Sequence, residues 1–186
     1  EVTNSPQPVN ASPAPSSIQM STNGEFGSVL GMVLTDFSQD QMVWSHWERG
    51  PNVVLAVFSY SVPSEKSHYA VTFTGQPPEF PAYHGEIAME PESGVIHHMT
   101  LVAITSGVGF FRESSTMVEF APVQIGGKEY VCPVHSVAMN RYFDTFEYSN
   151  TAHTPVPYAT IMNDVTFTRY HQFRSQSHIV TGATAR

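Results

Sequence analysis

The spacing of apolar positions changes once along this chain. Between residues 22 and 41 it is helical. Thr22 and Glu25 have the spacing of a capping box, and Phe26, Val29, Leu30, Val33, Leu34 and Phe37 follow at helical intervals. Their stripe is wide enough to lie on a sheet, so the pattern predicts one helix that ends within Asp36 to Gln41. From Met42 onward the period is two. Apolar or β-branched runs bounded by turn residues predict strands at Met42–Trp47, Val53–Val62, Tyr69–Thr74, Tyr83–Met89 and Val95–Ile104.

Turn chemistry orders the remainder. Glu90-Pro91-Glu92-Ser93-Gly94 joins two of these runs, with proline presetting φ and glycine able to take a positive one. Gly126-Gly127 joins Met117–Ile125 to Lys128–Ala138 as a two-residue hairpin loop, and Pro122 and Pro133 in its arms imply an edge position or bulges. Residues 76–81 hold three prolines and predict a connection or a short edge segment. Asn163–Val180 alternates over a length well beyond an ordinary strand, which requires strong curvature, a bulge or a break. The stretch from Tyr142 to Tyr158, with Pro155 and Pro157, reads as a long loop. The fold expected is α+β and mostly β: a strongly curved antiparallel sheet, a half-barrel, packed on one N-terminal helix. Residues 1–19 form a Pro/Ser-rich arm or linker, and residues 20–186 a single domain.

Composition narrows the function classes. Charged residues make up only 13% of the 186, against a usual share of ~25%, and eight Lys and Arg face sixteen acids for a net charge of −8. No window clusters the positive charge that phosphates demand, which excludes a nucleic-acid partner and a polybasic membrane contact. The longest apolar run, Val53–Phe58, is strand-sized, so no transmembrane segment is expected. Cys132 stands alone and permits no intrachain disulfide. The chain opens at Glu1 without a charged and apolar leader, as expected of a mature or excised piece.

Candidate chemistry is dispersed. Of the nine histidines, His84, His97, His98, His135, His171 and His178 fall on predicted strands, without a His-x-His, HExxH or Cys-x-x-Cys spacing. The weak metal candidates are His84, Glu86, His97 and His98 in the first hairpin, where Glu86 can meet His97, His98 or Met99 if the register allows. Cys132 and His135 lie three apart on one strand, which sends their side chains to opposite faces unless Pro133 bulges it; a buried, inert thiol is the better reading. Gly-x-Ser-x-Gly is missing, Gly107-Val108-Gly109 precedes no helix, and Glu86, Glu90 and Glu92 suit a solvated hairpin tip. Aromatic residues are the remaining signal: Trp44 and Trp47 flank His46, and Tyr142, Phe143, Phe146 and Tyr148 cluster without alternation. Core packing accounts for such residues most simply, and an exposed patch contacting a partner, a glycan or a lipid is the alternative.

Several longer words occur together in order: Gly24-Glu25-Phe26-Gly27, Trp44-Ser45-His46-Trp47-Glu48, Val62-Pro63-Ser64-Glu65-Lys66-Ser67-His68-Tyr69, Tyr83-His84-Gly85-Glu86-Ile87, Ile125-Gly126-Gly127-Lys128, Cys132-Pro133-Val134-His135-Ser136 and Asn163-Asp164-Val165-Thr166-Phe167. As a set, from about Gly24 to Val180, the chain resembles the C-terminal half of an uncharacterised family of secreted acidobacterial proteins. That family is distantly similar in architecture to the periplasmic lipoprotein-carrier half-barrels. The resemblance implies an extracytoplasmic, bacterial setting, periplasmic or secreted, and assigns no functional residue.

The function expected is that of a non-catalytic extracytoplasmic domain binding an apolar ligand or a protein partner, with Trp44, Trp47, Tyr142, Phe143, Phe146 and Tyr148 as contact residues and no cofactor. A structural subunit of an extracellular assembly, associating as a homo-oligomer through the N-terminal arm and open sheet edges, is the alternative. A metal-dependent enzyme with dispersed histidine ligands is the third.

Overall fold

Two-residue alternation beyond Met42 builds one antiparallel meander. A computed structural model describes residues 28–37, 42–50, 53–72, 77–104, 111–143 and 158–171. Among the described residues one α-helix, α1 (Ser28–Asp36), precedes seven strands, β1 (Met42–Arg49), β2 (Val54–Val62), β3 (Tyr83–Met89), β4 (Ile96–Ile104), β5 (Phe111–Ile125), β6 (Lys128–Phe143) and β7 (Tyr158–Thr166), with a 3-10 turn at Ser64–Lys66 between β2 and β3. Each strand pairs with its neighbour in sequence, giving the order β1 to β7, and the sheet stays open with β1 and β7 as its edges. The mostly β fold with one early helix agrees with the expected class.

One face carries the core. Val33 of α1 packs with Tyr60, Val62, Tyr83, Ile87, Met99, Leu101, Ala103, Val118 and Phe120, which alternate along β2 to β5 on the same side of the sheet. Ile87, Leu101 and Val62 are completely buried, and each such side chain contributes roughly 1.5–3 kcal/mol of apolar transfer free energy. The opposite face holds a smaller buried group, Leu55, Val57 and Ala88.

Turn and bulge positions follow the local chemistry. Gly94, Gly126 and Gly127 all take positive φ, which closes the two hairpins. The β5–β6 ladder slips between Glu119 and Phe120, where Val134, next to Pro133, is the extra residue. Among the described residues the hairpin tip beyond that bulge pairs only with itself, so Pro122 takes no donor from a second described strand.

The structure sets the bounds of three expected segments. Of the strand expected at Tyr69–Thr74, residues 69–72 do not form one: among the described residues only Val71 pairs, through two bonds with Glu79 of 2.8 and 2.9 Å, and residues 73 and 74 lie outside the described residues. Pro77, Pro78 and Pro81 around Glu79 cannot donate, so the ladder has nothing to extend along. The alternating stretch Asn163–Val180, expected to curve, bulge or break, breaks after Thr166: β7 starts earlier, at Tyr158, and ends there, while residues 172–180 lie outside the described residues. Past His135 its partner β6 offers Val134 in a bulge and then Pro133, and Arg169 takes a left-handed φ of 59°, which ends the extended run. Of the loop expected from Tyr142 to Tyr158, Tyr142 and Phe143 belong to β6 and Tyr158 to β7, and residues 144–157 lie outside the described residues.

Candidate functional site

The two tryptophans share a face because of a bulge. Residues three apart on a regular strand point to opposite sides, yet Trp44 pairs with Phe58 and Trp47 with Ala56, both on the core side of β2. The register shift at Ser45 absorbs the extra residue. The rings meet edge to face with centroids 6.3 Å apart. They lie on edge strand β1 at the margin of the core and stay 53% and 59% exposed, with Val54 beside Trp47 also exposed. An open cleft of about 670 Å³ adjoins Trp47, lined also by Val53, Val54, Glu90, Pro91 and Glu92. Of the other aromatic candidates, Tyr142 and Phe143 are the last residues of β6, across the sheet from β1, while Phe146 and Tyr148 lie outside the described residues.

A second cluster was not visible in the sequence. Asp36, at the C-terminus of α1, has a fully buried side chain. Its Oδ2 accepts from the His68 backbone N–H at 2.8 Å and from the Tyr83 hydroxyl at 2.7 Å, and its Oδ1 meets His68 Nδ1 at 2.5 Å. Burial alone pushes the carboxyl up; the His68 N–H, the Tyr83 hydroxyl and the His68 imidazole outweigh it and hold Asp36 below the usual carboxylate range. Burial and the Asp36 carboxylate push the Tyr83 hydroxyl far up, so it stays a donor. His68 is thereby an imidazole oriented by a buried acid, with its ring largely exposed. Among the described residues no hydroxyl or thiol is bonded to it, so the pair ties α1 to the segment before Tyr69 and presents no nucleophile.

The metal candidates are not gathered. Ile87 faces Met99 and Ala88 faces His98, which leaves Glu86 beside Thr100, whose hydroxyl accepts the Glu86 N–H at 3.0 Å. Glu86 instead accepts from Ser45 and Ser59, at 3.3 and 3.5 Å. His97 falls in the register shift of β4, His84 is exposed, and His98 reaches Glu48 of β1 at 3.3 Å. Among the described residues no group of three or more His, Cys, Asp or Glu is placed to hold a metal ion.

His135 sits between two acids instead. Its Nδ1 lies 3.1 Å from Glu119 of β5 and its Nε2 2.8 Å from Asp164 of β7, so both ring nitrogens face carboxylates and neither is directed at Cys132. Only the imidazolium donates from both nitrogens. The Asp164 bond is the largest influence on its acidity, burial opposes it, and Glu119 adds to it; the imidazole is held above its ordinary range. A raised folded value stabilises fully below the ordinary 6.5 and loses that contribution as pH rises through the folded value. A proton NMR titration is expected to place the His135 midpoint above 6.5 in the wild type and to lower it in Asp164→Asn; an unchanged midpoint in the variant contradicts the pairing.

No family model, no curated protein and no solved structure matches this chain.

Proposed function

We propose that the domain is a non-catalytic, extracytoplasmic binding module that engages a protein partner or an apolar ligand through the uncovered margin of its core face, with Trp44 and Trp47 as anchors. The observation that carries this reading is the bulge at Ser45, which places both indoles on one face while leaving each more than half exposed. Tryptophan is enriched among residues that dominate interface energetics, and the cleft beside Trp47 adds concavity. The extracytoplasmic setting rests on the resemblance to secreted proteins.

A second reading, assembly by strand addition, is favoured by β1 itself. This edge strand carries no lysine or proline from Met42 to Arg49, and Val43 is exposed on it.

The test uses a neutral apolar dye, N-phenyl-1-naphthylamine, followed by fluorescence. Trp44→Ala/Trp47→Ala is expected to weaken binding about tenfold or more while leaving thermal unfolding within a few degrees, because the indoles lie at the margin of the core. Undiminished dye binding by the double variant sinks the reading. A mass that grows with protein concentration and reverts in Val43→Lys transfers it to assembly.

A further inference from the structure

We infer that the cleft beside Trp47 receives a cationic side chain, lysine or arginine, from an extended segment of a partner protein. This deepens the binding reading above and rests on it.

Three features of the lining converge on positive charge. Trp47 offers an exposed indole, the best aromatic surface for a cation. Glu90 and Glu92, on the β3–β4 turn, also line the cleft, and among the described residues no basic one does. The nearest base along β1, Arg49, lies outside the lining. A purely apolar occupant would strip water from both carboxylates without replacing their bonds, whereas an ammonium or guanidinium group satisfies them.

The receptor is held in shape before anything binds. The Glu90 N–H donates to the Val95 carbonyl at 2.9 Å, the Gly94 N–H donates to the Glu90 carbonyl at 2.8 Å, and the Ser93 hydroxyl donates to the Glu90 carboxylate. Pro91 fixes φ between the two acids, and Trp47 is braced edge-on by Trp44. A divalent cation is a poorer fit, since a hard ion of this type takes six or more oxygens and the lining supplies two carboxylates.

A protein source follows from where the cleft lies. Trp47 belongs to β1, an edge of the sheet among the described residues, so a strand added there by backbone pairing sets its own side chains beside the indole. Such a segment combines edge pairing with one cationic residue seated between Trp47 and the two glutamates.

The test compares two capped pentapeptides, Val-Thr-Arg-Thr-Val and Val-Thr-Gln-Thr-Val, with tetramethylammonium as a third probe, by titration against the nitrogen-15-labelled protein. The arginine peptide is expected to shift the Trp47 indole N–H signal and to bind on the order of fivefold more tightly than the glutamine peptide. That preference is expected to shrink with added salt and to vanish in Trp47→Ala and in Glu90→Gln/Glu92→Gln, two turn substitutions that retain the hairpin's backbone bonds. Equal binding of the two peptides, or an arginine preference that survives in Glu90→Gln/Glu92→Gln, overturns the inference. So does tetramethylammonium binding as tightly as the arginine peptide, which would make the site one for free quaternary amines. If neither peptide binds while the apolar dye still does in a Trp44- and Trp47-dependent way, the cationic inference falls and the binding reading stands. If the dye fails as well, both fall.

Discussion

Asp36→Ala is expected to remove about 3 kcal/mol or more of folding stability, measured by urea unfolding at pH 7. The carboxylate is fully buried, and its loss leaves the Tyr83 hydroxyl and the His68 backbone N–H without their acceptor. Each buried group orphaned in this way costs roughly 1–3 kcal/mol. The His68 ring adds little, because it is 72% exposed and water screens its contact with the carboxylate. Asp36→Asn retains an acceptor and is expected to fall between the two.

The pH dependence separates charge from shape. Asp36 is held below its ordinary 3.8, so its contribution is present above that value and is lost as pH falls through the folded one. Asp36→Asn is expected to flatten that part of the acid-side stability curve. A Asp36→Ala protein within 1 kcal/mol of wild type would show that the buried acid is dispensable. The position is informative in itself: an acid at a helix C-terminus opposes the helix dipole, so α1 gains nothing local from it. Its role is tertiary, pinning the end of the helix to the segment at His68 and to the core strand at Tyr83.

Local rules carried the sheet a long way. Tyr83–Met89 lies in the structure as the alternation placed it, and the Gly94 and Gly126-Gly127 turns formed because glycine alone enters positive φ without cost to a side chain. The pattern failed where strand formation depends on a neighbour. Residues 69–72 have suitable side chains, but Val71 meets Glu79 in a proline-rich segment, and β7 ends where β6 turns into a bulge and a proline. Partner supply is a property of the fold, and a run of alternating residues does not encode it.

The site was legible in kind and illegible in geometry. Trp44 and Trp47 stand out by residue type, but their common face depends on a slip at Ser45 that is set by pairing with β2. Glu86 and the hairpin histidines were separated by the same kind of decision, since pairing puts Ala88 opposite His98 and sends Glu86 to two serines. Asp36 gave one signal that reading the helix as an apolar stripe passes over: a lone acid on its last turn, whose partners lie 32 and 47 residues further on.

Gly85→Ala is expected to destabilise the protein by about 3 kcal/mol or more, because the methyl has nowhere to go. A Cβ at this position would sit 1.9 Å from the Thr100 carbonyl oxygen and 2.7 Å from the Tyr60 hydroxyl. The close approach is built from three residues. Gly85 lies opposite Tyr60 in the β2–β3 ladder, and the missing side chain lets the tyrosine reach past β3 to donate to the Thr100 carbonyl at 2.6 Å. Paired residues of β3 and β4 accordingly pass from His84–Val102 to Ile87–Met99, while the Thr100 hydroxyl takes the Glu86 N–H. An alanine must displace backbone, since the nearest atom belongs to a buried ladder rather than to a flexible side chain. Tyr60→Phe tests the same arrangement more gently, removing the hydroxyl and leaving one carbonyl unpaired at roughly 1–3 kcal/mol. In the background of Tyr60→Phe, Gly85→Ala is expected to cost less than alone, because one of its two obstacles is gone; strict additivity of the two changes in a double-mutant cycle would refute the coupling.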